Sequence, residues 1–169
     1  EAGKAIRRSG ARPGDIVAVS HTIGNSSGGL AALLQNHDGY PQLKRAHRFP
    51  VPQVELGRLL VKYNCHSLND ISDGLASESN EIAKASGVRL VLKKDAIPVS
   101  DELTSWAAES KTSVWNYGFN GGEDYELIFT MEPADFHSLQ SEYSDVTKIG
   151  VVRSGNGDVL LVDGDTESI

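Results

Sequence analysis

Apolar positions along this chain fall into two patterns: short continuous runs and helically spaced faces. Residues Ile16–Ser20 form a compact apolar run just after the turn signal Pro13-Gly14-Asp15, and predict a buried strand. A polar, glycine-rich stretch follows over residues 22–29, and a helix is expected to begin at Leu30 and run to Gln35. Strand, small-residue loop and helix in that order can aim backbone N–H groups at an anion. The loop has no Lys after its last Gly, as a Walker A motif would, and is not GxGxxG, so a tight turn with a helix start explains it more plainly. Residues 36–46 are polar and turn-rich and predict an exposed loop. Beyond Pro50 and Pro52, Leu56, Leu59, Leu60 and Tyr63 share one helical face. Residues 66–69 read as a short extended link into Asp70-Ile71-Ser72-Asp73-Gly74-Leu75. Ser72 or Asp73 is placed to cap a helix with Leu75, Ile82 and Ala85 inside, ending at Ser86-Gly87.

The second half continues in the same mixture. Residues 88–92 predict a strand with Val88, Leu90 and Leu92 on one side, and Ser100 caps a helix with acids in its first turn. Trp106 and Trp115 read as core or interface residues. A strand over 125–131, a helix opened by Pro133, and strands over 146–152 and 159–162 complete the pattern. The last two strands are joined by the hairpin-like Ser154-Gly155-Asn156-Gly157-Asp158. Strands and helices alternate without a regular βαβ repeat. The expected fold is therefore α+β, a mixed and largely antiparallel sheet covered by helices, with residues 1–169 as a single domain.

Charge and composition narrow the function. A net charge of −7 and a pI near 5.2 argue against a nucleic-acid binder. No apolar run reaches the roughly 20 residues of a membrane helix, so no membrane partner is expected. A single cysteine, Cys65, excludes an internal disulfide framework and suits a reducing, cytoplasmic setting. Its expected role is that of a small buried residue. The opening Glu1-Ala2-Gly3-Lys4 shows neither an initiator Met nor a signal peptide, and the stretch 163–169 is a weak domain end. The chain reads as a piece of a longer protein.

Two acidic clusters carry the chemistry. Asp70 and Asp73 stand three residues apart beside Gly74, and Glu123 and Asp124 follow Gly121-Gly122 in Gly-Gly-Glu-Asp-Tyr-Glu-Leu. Mg²⁺ takes oxygen ligands and is commonly held by one or two carboxylates with substrate phosphates and waters. The same residues are also good turn and capping chemistry. Arg8, in a basic segment with Arg7 and Arg12, offers a planar fork suited to phosphate. The five histidines show no metal-ligand spacing, and no nucleophile motif is present.

The order of Arg8 to Asp15, the loop and helix from Gly24 to Leu30, Asp70-Ile71-Ser72-Asp73-Gly74-Leu75 and Gly121 to Leu127 resembles the thiamine-monophosphate kinases, within the aminoimidazole ribonucleotide synthetase superfamily. The resemblance covers essentially the whole chain and only that family's C-terminal domain. It implies ATP- and Mg²⁺-dependent phosphorylation of thiamine monophosphate to thiamine diphosphate. By position, Asp70 and Asp73 would bind Mg²⁺, Ser72 and Arg8 would contact ATP, and Glu123 would contact thiamine monophosphate. It further implies a missing N-terminal domain, a homodimer in the full-length enzyme and an isolated fragment without activity. No general base is assigned. Another ATP-using member of the superfamily, such as a selenophosphate synthetase or a hydrogenase maturation factor, is the nearest alternative. A non-catalytic ligand-binding module is a further one.

Overall fold

A computed structural model describes residues 5–164 together with the backbone of 166–168. In chain order it contains β1 (Ile16–Ser20), α1 (Asn25–Leu34), α2 (Pro41–Arg48), α3 (Val54–Lys62), β2 (Ser67–Asp70), α4 (Leu75–Ser86) and β3 (Val88–Lys93). After a 3-10 turn at Lys94–Ala96 come α5 (Asp101–Glu109), α6 (Val114–Asn120), β4 (Leu127–Met131), α7 (Pro133–Glu142), β5 (Val146–Ser154), β6 (Asp158–Asp163) and β7 (Thr166–Ser168). The strands form one sheet in the order β2-β4-β1-β5-β3-β6-β7. Among the described residues only β3 and β6 pair in parallel; the other five pairings are antiparallel. The expected α+β architecture with a mixed, largely antiparallel sheet is what the chain adopts.

β1 is central and buried on both faces, which is why its sequence is continuously apolar rather than alternating. Val17 and Val19 join Leu90, Ile128 and Val152 on one face, where Leu75, Ile82 and Ala83 of α4 pack. Ile16 and Ala18 join Phe129 and Met131 on the other, beneath Leu56 and Leu60 of α3 and Phe136 and Leu139 of α7. Each fully buried side chain of this size is worth roughly 1.5–3 kcal/mol. Ile149 is an extra residue in β5, a bulge between the Val17–Gly150 and Ala18–Lys148 pairs.

A third, smaller core lies off the sheet among α1, α2 and α5, built on Ala32, Leu43, Leu103 and Trp106. It corrects two expectations. Helix α1 begins at Asn25, not Leu30, and Gly28 and Gly29 are helical. They serve close packing, since a Cβ on Gly29 would lie 2.0 Å from the Leu43 carbonyl oxygen, and one on Gly28 would lie 2.5 Å from Leu103 Cδ1. Residues 36–46 are not one exposed loop, because α2 starts at Pro41. Its first turn is capped from a distance: the Glu102 carboxylate accepts from the Gln42 and Leu43 amides at 3.0 and 3.1 Å.

Three smaller differences concern the sheet and its helices. Ala83, not Ala85, faces the core from α4. β4 starts at Leu127, because Glu123 and Tyr125 hold left-handed backbone at φ 65° and 53° and cannot extend the strand. β5 and β6 do not form a hairpin, since β3 lies between them and pairs with both. The expected strand over 88–92, with Val88, Leu90 and Leu92 inward, and the Ser100 cap of α5 are both present.

Candidate active site

The two acidic segments lie side by side. Where β2 ends at Asp70, opposite Leu127, backbone pairing continues irregularly beyond the strands. The Ile71 amide donates to the Glu126 carbonyl at 2.7 Å, the Tyr125 amide to the Ile71 carbonyl at 3.0 Å, and the Glu123 amide to the Ser72 carbonyl at 2.8 Å. Gly122 makes that approach possible: a Cβ there would sit 2.4 Å from the Ser72 carbonyl oxygen. Residues some fifty positions apart are thereby locked into one seam.

On one side of the seam, Asp70 and Asp73 are exposed, and neither carboxylate has a hydrogen-bond or ion-pair partner among the described residues. Asp73 and Ser72 do not cap α4. Glu78, inside the first turns of α4 and 2% exposed, reaches back instead, accepting from the Asp73 amide at 3.2 Å and the Ser72 hydroxyl at 3.3 Å. Its second oxygen accepts from the Asn69 side-chain amide, and Asn69 Oδ1 accepts from Arg8 Nε at 3.0 Å. Arg8, Asn69, Glu78 and Ser72 are therefore one network. Arg8 Nη1 lies 3.8 Å from Glu81, and its side chain is half exposed, so the guanidinium edge is open to an anion. Two carboxylates suit a cation completed by phosphate oxygens and water. Among the described residues no group of three or more His, Cys, Asp or Glu is arranged to hold a metal by protein ligands alone.

On the other side, Glu123 and Asp124 part company. The Glu123 carboxylate is 61% exposed and lies 3.8 Å from His47 Nδ1. Asp124 turns inward and caps α1, accepting from the Gly24 amide at 2.6 Å and the Ser26 amide at 3.0 Å. Burial pushes its carboxyl up to about 6, against the opposing pull of those two N–H groups. Glu126, the last acid of the segment, accepts from the Ser20 hydroxyl and from His21 Nδ1 at 2.9 Å. That bond raises the His21 imidazole above its ordinary value.

The residues singled out from sequence lie along one seam: Asp70, Ser72 and Asp73 on one of its two segments, Arg8 linked to Ser72 through Asn69 and Glu78, and Glu123 on the other segment. Asn69, Glu78 and His47, which hold them, were not legible. No spacing rule links Glu78 back to Asn69, or α2 to a loop some 75 residues later.

The sequence profile of "AIR synthase related protein, C-terminal domain" matches residues 12–163. The chain belongs to this family. Among curated relatives of this AIR synthase related domain, thiamine-monophosphate kinase of Bacillus subtilis is 35% identical, covering all of this chain and 54% of its own length. Among solved structures, thiamine-monophosphate kinase from Stenotrophomonas maltophilia superposes with a TM-score of 0.84 at 30% identity, over 93% of this chain and 53% of that one. AaThiL complexed with AMPPCP and TMP superposes at 0.83 and 33% identity, over 95% and 52%. The chain spans about half the length of the curated relatives it matches. Among the described residues no helix is long and apolar enough to cross a membrane.

Proposed function

We propose that this domain is the C-terminal half of a cytoplasmic thiamine-monophosphate kinase, which uses ATP and Mg²⁺ to make thiamine diphosphate from thiamine monophosphate. One observation carries the reading: the Ser72–Glu123 backbone bond sets a flank with free carboxylates against a flank with an exposed glutamate. Support comes from relatives of that name and from a similar structure bound to AMPPCP and TMP.

Asp70 and Asp73 would hold Mg²⁺, which when bound neutralises phosphate charge during transfer. The Ser72 hydroxyl and the Arg8 guanidinium would contact ATP, with Arg8 held in orientation by Asn69. Glu123 would face the thiazolium, whose positive charge its carboxylate complements. Phosphoryl transfer depends on holding donor and acceptor in register, with little further chemistry asked of the protein. The N-terminal half would supply the rest of the nucleotide site and the dimer contact, so residues 1–169 alone would fold yet not turn over.

The test is kinetic, in the full-length enzyme. Asp70→Asn and Asp73→Asn should each raise the Mg²⁺ needed for half-maximal rate without lowering the melting temperature, since neither carboxylate serves the fold. Glu123→Gln should raise KM for thiamine monophosphate more than for ATP. Unchanged Mg²⁺ dependence in both aspartate variants would overturn the metal assignment, and a rise in KM confined to ATP would place Glu123 on the other ligand.

A further inference from the structure

His47 stands in the last turn of α2, and only part of its ring reaches solvent. Its Nδ1 is hydrogen-bonded with Ser26 Oγ at 3.1 Å and lies 3.8 Å from Glu123 Oε2. Ser26 is 1% exposed and belongs to the first turn of α1, whose amide in turn holds Asp124. Glu123 and Asp124 are thus both referred to the start of α1, one through His47 and one directly. Glu123 also carries left-handed backbone, so its direction is set by its surroundings.

We propose that His47 is a positioning residue that decides whether Glu123 is free for a cationic substrate. The inference rests on the reading that Glu123 faces the thiazolium. With the ring neutral and its proton on Nε2, Nδ1 accepts from the Ser26 hydroxyl, and the Glu123 carboxylate keeps its full charge for the ligand. With the ring protonated, Nδ1 becomes a donor beside Glu123 Oε2, and the imidazolium competes with the substrate's positive charge. α1 contributes no ionisable residue to the contact. On α5, Glu102 and Glu109 are engaged at the opposite end of α2, with the Gln42 and Leu43 amides and with His37 and Tyr40. On α2 itself, Lys44, Arg45 and Arg48 are basic, and Lys44 donates to the His37 carbonyl at the far end of the helix. Asp124 is turned away into the α1 cap.

The experiment compares KM for thiamine monophosphate and for ATP between pH 5.5 and 8.5 in the full-length enzyme, as wild type, His47→Asn and Glu123→Gln. The Asn amide can stand where Nδ1 stands and still bond Ser26, but it cannot become a cation. The substrate's phosphate titrates near pH 6 in every variant, so the difference between profiles is what is read. On acidification the wild-type KM for thiamine monophosphate should rise about two- to fivefold more than that of His47→Asn, the size of an exposed charge-pair effect. The ATP profiles should coincide. Superimposable thiamine monophosphate profiles would overturn the proposal. If Glu123→Gln leaves that KM unchanged at pH 8, the substrate reading of Glu123 fails, and this inference with it. If Glu123→Gln raises KM while His47→Asn follows wild type, only the role of His47 fails. Should His47→Asn melt below the assay temperature, His47→Gln carries the same expectation.

Discussion

Replacing Asp124 with Asn isolates the cost of burying a charge under α1. The carboxyl is pushed up to about 6 in the folded chain, from an ordinary value of 3.8. That rise corresponds to about 3 kcal/mol. Because the folded carboxyl holds its proton more tightly than the unfolded one, this group favours the fold fully below pH 3.8. That contribution is lost as pH rises through 6. Integrated over both states, about 2 kcal/mol of it disappears between pH 4.5 and 7.5. Asp124→Asn keeps one acceptor for the two amides of Gly24 and Ser26 and cannot ionise. It should lose about 1 kcal/mol from the missing bond at every pH. Urea unfolding of wild type and variant at pH 4.5, 5.5, 6.5 and 7.5 gives the difference directly, with the titrating groups that do not interact with Asp124 cancelling and the nearby Glu126 adding to it in the same direction. Wild type should lose about 2 kcal/mol relative to the variant across that range. Parallel curves, or a wild type that gains with rising pH, would show that the two N–H groups outweigh burial, and would refute the reasoning.

Two further outcomes follow from packing. Gly29→Ala should lower stability by about 1–3 kcal/mol, or roughly 2–12 °C in Tm, because the new Cβ meets the Leu43 carbonyl at 2.0 Å. Helix propensity alone predicts the opposite sign, by about 1 kcal/mol, so thermal melting separates the two arguments. Cys65, whose thiol burial pushes up to about 12 and whose S–H donates to the Ser67 carbonyl, should react with iodoacetamide at pH 8 at least about a hundredfold more slowly folded than unfolded. Equal rates would show a thiol that is not held in that environment.

The residues proposed to bind ligands can be picked out of the sequence because they are local: Asp70, Ser72, Asp73 and Glu123 lie in short acidic segments beside glycine. Strands buried on both faces, such as β1, were legible because continuous apolar runs have one plain explanation. The features that the sequence does not show are set at long range. The starts of α1 and α2 are fixed by Asp124 and Glu102, carboxylates roughly 60 to 100 positions away. Without them, residues 22–29 and 36–46 look like loops, since neither start has a side-chain cap of its own. The short helix α6 escaped for a related reason, since Gly118 interrupts its pattern and its packing lies against other helices. The supposed β5–β6 hairpin had correct turn chemistry and the wrong neighbour.

That neighbour has a kinetic consequence. A hairpin of β5 and β6 would be a fast local contact, because only a few residues separate the strands. In the finished sheet, β3 occupies the place between them. An early β5–β6 hairpin would therefore be a trap, since its hydrogen bonds would have to break before β3, made more than fifty residues earlier, could enter. Folding of this half should wait on β3 seated against α4, and strengthening 154–158 as a tight hairpin turn should slow refolding.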